Sequence, residues 1–155
     1  MTPISLDTVA LITERSKRTW QRRIAEGLAA KLDSDQAGRT MLSLADVASS
    51  ISIPMNPADL EQLLRADAGD PEAQDDVGQL FLAAGKLEAA IFWLEQAARQ
   101  DYPNAMQCLG RCYLSGQGVA QNENLGLMWI AKAAAHGHTI ARQQMASLRP
   151  TGAQA

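Results

Sequence analysis

The chain has 155 residues, with 14 Lys+Arg against 17 Asp+Glu and a net charge of −3, which excludes a globally basic nucleic-acid coat protein. Its 46% hydrophobic content excludes a disordered chain, and no stretch approaches the roughly 18 uninterrupted apolar residues of a membrane span. Asp7, Glu14, Arg15, Lys17 and Arg18 break up the N-terminus, leaving no apolar secretory segment, and two cysteines make no disulfide framework, so a cytoplasmic location is expected.

Charge is uneven along the chain. Residues 1–50 carry seven bases and six acids, and five of those bases fall between Arg15 and Arg23. Residues 51–155 carry seven bases and eleven acids, which suggests two units with different partners. Ser5 is placed to cap a short helix from Leu6 to about Ile12, with Val9 and Ile12 inward. The turn Thr13-Glu14-Arg15 follows, and Ser16 is placed to cap a second helix running through Glu26 to Gly27. In that helix Trp20 and Ile24 share one face, so Trp20 is expected to anchor the core. Lys17, Arg18, Gln21 and Arg22 then lie on the outer side. Leu28 to Leu32 and Arg39 to Leu42 read as short strands around the polar turn 33–38. Ser43 and Asp46 have capping-box spacing at the start of a further helix.

Helix, turn, helix, hairpin, helix is a winged-helix order. Thr19-Trp20-Gln21-Arg22-Arg23-Ile24-Ala25-Glu26-Gly27, then Gly38-Arg39 and Leu42-Ser43-Leu44-Ala45-Asp46-Val47, resemble the MerR and excisionase type of winged helix-turn-helix domain. The resemblance implies duplex DNA as partner of residues 1–50. Lys17, Arg18, Gln21 and Arg22 would face the major groove, and Lys31 and Arg39 on the wing would reach phosphate or minor groove. Asp33 and Asp35 set negative charge on that wing, where phosphate binding wants positive. The alternative is a winged fold that binds protein.

Two prolines and three serines between Ser49 and Pro57 mark residues 51–56 as a linker. Beyond it the chain repeats. Ala73, Val77, Gly78 and Phe81 match Ala105, Leu109, Gly110 and Tyr113, and Trp93, Ala97, Ala98 and Ala105 match Trp129, Ala133, Ala134 and Ala141. The second copy carries an insertion in Ser115-Gly116-Gln117-Gly118-Val119-Ala120-Gln121-Asn122. Each copy reads as a helical hairpin. Small residues sit where its helices approach closely, and aromatics fill the gap to the next hairpin. Pro71 and Pro103 suit first helical turns, and Asn122 is placed to cap the second helix of copy two. Half-copies flank the pair, one over Leu60 to Gly69 and one over His138 to Leu148.

Ala105-x-x-x-Leu109-Gly110-x-x-Tyr113-x-x-Gly116-x-Gly118-Val119, followed by Trp129-x-x-Lys132-Ala133-Ala134-x-x-Gly137-x-x-x-Ala141, resembles the Sel1-like repeat, a relative of the tetratricopeptide repeat. The resemblance covers about residues 57–148 and implies an α-solenoid whose concave face binds a partner protein. Gly126 departs from it, because the family usually has Ala there. The expected fold is therefore mainly α: a solenoid of helical hairpins behind a small winged helix-turn-helix unit with a short β-hairpin. Residues 149–155 are expected to form a disordered tail.

Cys108 and Cys112 lack Cys-x-x-Cys zinc spacing and read as small apolar helix residues. His136 stands at a helix C-terminus, while Asp75-Asp76 and Asp67/Asp70 read as carboxylates at helix starts. No Walker loop, dinucleotide fingerprint, His-Glu-x-x-His or Gly-x-Ser-x-Gly occurs, so no catalytic residue, cofactor or metal is expected. Two functions remain. One is a DNA-binding regulator whose repeats bind protein. The other is a cytosolic adaptor in which both parts bind protein, for example within a secretion or envelope machine.

Overall fold

The computed structural model describes residues 1–148 and is mainly helical. The expected tail, 149–155, lies outside the described residues. The chain divides into two compact units, Met1–Asp67 and the part from Ala68 onward.

In the first unit β1 (Pro3–Ser5) leads into α1 (Leu6–Thr13) and α2 (Lys17–Ala25). Then come β2 (Lys31–Leu32), β3 (Met41–Ser43), α3 (Leu44–Val47), a 3-10 turn (Ala48–Ser50) and α4 (Pro57–Asp67). Ser5 and Ser16 cap α1 and α2 by accepting from the amides of Thr8 and Thr19. Glu14 takes a left-handed conformation (φ 54°), which ends α1 and turns the chain into α2. The sheet order is β1-β3-β2, antiparallel throughout, with Ile4 and Lys31 opposite Leu42 on its two sides. Ile4, Val9, Ile12, Trp20, Leu42 and Val47 are fully buried. The Trp20 indole donates to Thr13 Oγ1 at 2.9 Å, so the anchor buries no unpaired polar atom.

Three local expectations are corrected. The strands are shorter than Leu28–Leu32 and Arg39–Leu42, because the ladder forms only opposite β3. A third strand, β1, completes the sheet. It carries one apolar side chain with Pro on its flank, too little for an alternation pattern, and is a strand because β3 pairs with it. Ser43 makes no side-chain cap, and Asp46 instead accepts from the Ala30 amide at 2.8 Å, tying α3 to the segment before β2.

Residues 51–56 are held down. Ser52 donates its amide to the Ile12 carbonyl and Ile53 is buried. Asn56 and Asp59 exchange hydrogen bonds at the start of α4 (3.0 and 2.8 Å).

Among the described residues the second unit has five helices: α5 (Pro71–Ala83), α6 (Leu87–Arg99), α7 (Pro103–Ser115), α8 (Glu123–Ala135) and α9 (Thr139–Ser147). They pack in series, α5 on α6, α6 on α7, α7 on α8 and α8 on α9, as hairpins joined through their second helices. Asp70, Asn122 and His138 cap α5, α8 and α9. A β-carbon added at Gly110 would lie 2.7 Å from Ile130 Cγ1 and 2.8 Å from the Gly126 carbonyl oxygen. One added at Gly126 would meet Leu114 at 2.7 Å and the Gly110 carbonyl at 2.9 Å. The two glycines face each other where α7 crosses α8. That close approach accounts for Gly126 inside a helix, where it costs about 1 kcal/mol relative to Ala. The inserted loop turns at Gly116 and Gly118 (φ 72° and 75°), and Gly118 lies against Leu87 and Ile91 of α6.

Candidate functional site

In the first unit, α2 presents Lys17, Arg18, Gln21 and Arg22 as exposed side chains. Ser16 starts the helix and Trp20 pins its other face, so these four point away from the core. Lys17 forms an ion pair with Asp7, both largely exposed. Arg23, from the same basic run, stacks its guanidinium over the Trp20 ring at 5.2 Å and so serves the fold. Lys31 is exposed on β2.

Arg39 is drawn inward. Its Nε lies 2.7 Å from Asp35 Oδ2 and its Nη1 3.3 Å from Asp67 Oδ1. The backbone amide and guanidinium of Arg39 hold the Asp35 carboxyl below its usual value, and Asp35 in turn raises Arg39. Asp35 on the hairpin and Asp67 on α4 therefore neutralise the base that the resemblance assigned to the wing. Lys31 is not among the groups that pair with Asp35 or Asp67 here.

Asp67 has a role the sequence concealed. It lies at the end of α4, not at a helix start, and is almost completely buried. It accepts from the Ser5 amide (2.9 Å), Ser5 Oγ (2.5 Å), Thr8 Oγ1 (2.6 Å) and Arg39. One carboxylate thus joins β1, α1, the β2–β3 hairpin and α4, across separations of up to 62 residues that no periodicity connects.

In the second unit, the first helices of successive hairpins meet through polar side chains. Asn104 Nδ2 on α7 donates to Asp75 Oδ2 on α5 at 2.6 Å, and Gln79 Nε2 donates to the other Asp75 oxygen at 3.4 Å. Asn104 Oδ1 lies 3.3 Å from His138 Nε2. Since His138 Nδ1 accepts from the Ala141 amide, its Nε2 carries the proton and donates to Asn104. Gln107 on α7 donates to Gln144 on α9 at 3.2 Å. Burial raises the Asp75 carboxyl, opposed by its hydrogen bonds from Asn104 and Gln79. Asp75 is therefore an inter-hairpin acceptor, which corrects its reading as a simple dipole partner. The sequence signal was present in the run of amides at Gln74, Gln79, Asn104, Gln107 and Gln144, all on first helices.

A cavity of about 430 Å³ adjoins this ladder, lined by Tyr102, Asn104, His136, His138 and Ile140 among others. Burial, then the nearby acids Asp75, Glu72, Asp76 and Asp70, raise the Tyr102 hydroxyl, which marks this end of the unit as acidic. His136 caps the C-terminus of α8, with Nδ1 2.9 Å from the Lys132 carbonyl. Cys108 and Cys112 are free and buried. No helix among the described residues is long and apolar enough to cross a membrane.

Comparison with known proteins agrees with the periodicity. Residues 71–102 and 103–138 match the Sel1 repeat model. The crystal structure of a Sel1 repeat protein from Oxalobacter formigenes matches with a TM-score of 0.52 at 24% identity, covering 92% of this chain and 90% of that one. At that identity the likeness is one of fold. Human wolframin is 39% identical over 71 residues, 41% of this chain and 8% of wolframin, so the chain spans under a tenth of that relative's length. Residues 71–138 thus carry two tandem matches to the Sel1 repeat model, and the helices α5 to α8 that span them form a stacked helical array.

Proposed function

We propose that the chain is a non-enzymatic recognition protein whose Sel1 repeats bind a protein partner along the face built by their first helices. The observation that carries this reading is the polar ladder across α5, α7 and α9. Asp75 and Gln107 are buried within it and tie the helices together, while Asn104 stands exposed and Gln144 half-buried at its surface. Such cross-links make the first helices a rigid support from which their exposed side chains meet a partner. The test is affinity capture from the source cell with the chain immobilised. Asn104→Arg with Gln143→Arg, both at exposed positions of the first helices, should lose the proteins that the wild type retains. Equal retention by wild type and variant would refute this surface.

A second reading concerns the first unit, a DNA-binding regulator in which α2 enters the major groove of duplex DNA. Arg18, Gln21 and Arg22, exposed on one helix, support it. Against it stand the ion pairs that occupy Lys17 and Arg39. Binding of random duplex at low salt decides the matter. Arg18→Ala with Arg22→Ala should weaken that binding and lower the salt slope by about one unit for each phosphate that is no longer neutralised. An unchanged affinity, or none at low salt, leaves the adaptor in which both units bind protein.

A further inference from the structure

We propose that Cys108 and Cys112 form a two-sulfur binding site for a soft monovalent cation, with copper(I) as its representative. The two thiols stand one turn apart on α7, and both are buried, at 4% and 2% exposure. A cavity of about 320 Å³ opens beside the pair, lined by Leu82 of α5 and by Arg111, Ser115 and Gln117.

Geometry decides what such a pair can do. Residues four apart on a helix hold their β-carbons about 5–6 Å apart. A disulfide needs about 3.5–4.5 Å between those carbons, so the pair cannot close a bond to itself without breaking α7. The same spacing lets both sulfurs turn toward one ion lying between them. Among the described residues no group of three or more His, Cys, Asp or Glu could hold a metal, which removes the four-ligand sites zinc requires. Two thiolates in a dry setting suit a soft cation that accepts two ligands, and copper(I) is that ion among the biological metals. Binding releases two protons and moves no electron: copper(I) and two thiols give a copper dithiolate of charge −1. The guanidinium of Arg111, on the cavity wall, favours that charge, while Asp75 opposes it at Cys108.

The reduced 155-residue chain is titrated anaerobically against copper(I) held by bathocuproine disulfonate, and against zinc(II) in parallel. The wild type should withdraw one copper per chain and take no zinc. X-ray absorption of the copper form should show two sulfur neighbours. Cys108→Ala and Cys112→Ala, with helical circular dichroism retained, should each lose the copper. No withdrawal by the wild type, retention by either folded variant, stoichiometric zinc, or three or more sulfurs on the copper would overturn the site. Should an alanine variant unfold, the sulfur count and the metal selectivity of the wild type decide alone.

Discussion

A methyl group at Gly110 is the sharpest probe of the repeat geometry. It would lie 2.7 Å from Ile130 Cγ1, 2.8 Å from the Gly126 carbonyl oxygen and 3.2 Å from the Ile130 amide nitrogen. Two of those three atoms are α8 backbone and cannot rotate away, so α8 must retreat from α7. Overpacking costs about 1–3 kcal/mol, and alanine's better helix propensity returns about 1 kcal/mol of it. Gly78 supplies the internal comparison. There the methyl meets Leu94 Cγ at 2.9 Å and Cδ2 at 3.0 Å, both on a side chain able to turn, and only the Leu94 amide at 3.2 Å is fixed. Gly110→Ala should therefore be less stable than Gly78→Ala by about 1 kcal/mol, and Gly110→Leu should fall at or beyond the upper end of the overpacking range. Urea denaturation gives the ranking, and hydrogen exchange read separately over 1–67 and 71–148 gives the location. Loss of protection should concentrate in the repeats. A Gly110→Ala chain no less stable than Gly78→Ala would refute the close crossing of α7 and α8. Equal loss of protection in both units would refute their independence.

Asp67→Ala should destabilise the first unit by at least about 3 kcal/mol, the scale for removing one partner of a buried charged pair, because Ser5, Thr8 and Arg39 lose a shared acceptor; chemical denaturation followed by exchange over 1–67 checks it. Burial raises Asp75, so its ionised form is disfavoured in the folded state. Its contribution is complete below the unfolded value near 3.8 and is lost as pH rises through the higher folded one. The wild type should accordingly gain stability relative to Asp75→Asn as pH is lowered from neutrality, and parallel stability curves for the two would contradict the assignment. Trp20→Phe keeps the ring but strands Thr13 Oγ1 without its indole donor. It should cost about 1 kcal/mol, readable as a lowered urea midpoint with an unchanged slope.

The hairpins were legible because their signal is local. Gly78 and Gly110, Pro71, Pro103 and Asn122 each act within one hairpin, and the helices begin and end close to where those residues place them. The serines capping α1 and α2 were equally readable. What escaped notice depends on residues far apart in the chain. β1 exists only opposite β3, and Ser43, the last residue of β3, leaves its helix uncapped. Asp67 resembles any polar helix-end residue until the fold brings Ser5 and Thr8 to it. Arg39 reads as a free base because nothing in a linear pattern reveals that two carboxylates close around it. Gly126 looked like a departure from the repeat when considered alone and becomes intelligible only as the counterpart of Gly110.

The insertion in the second hairpin also changes how the array comes apart. Gly118, held at φ 75°, brings its backbone against Leu87 and Ile91 of the preceding hairpin's second helix. In a linear array, stability is the sum of what each repeat gains alone and what it gains from its neighbour. A loop that belongs to one hairpin and rests on the other adds only to the neighbour term. The two hairpins are thereby coupled in melting: opening the second exposes part of the first, so neither survives long without the other. Shortening the loop would leave each helix intact and weaken that coupling, leaving the packing of α6 on α7 to hold the hairpins together.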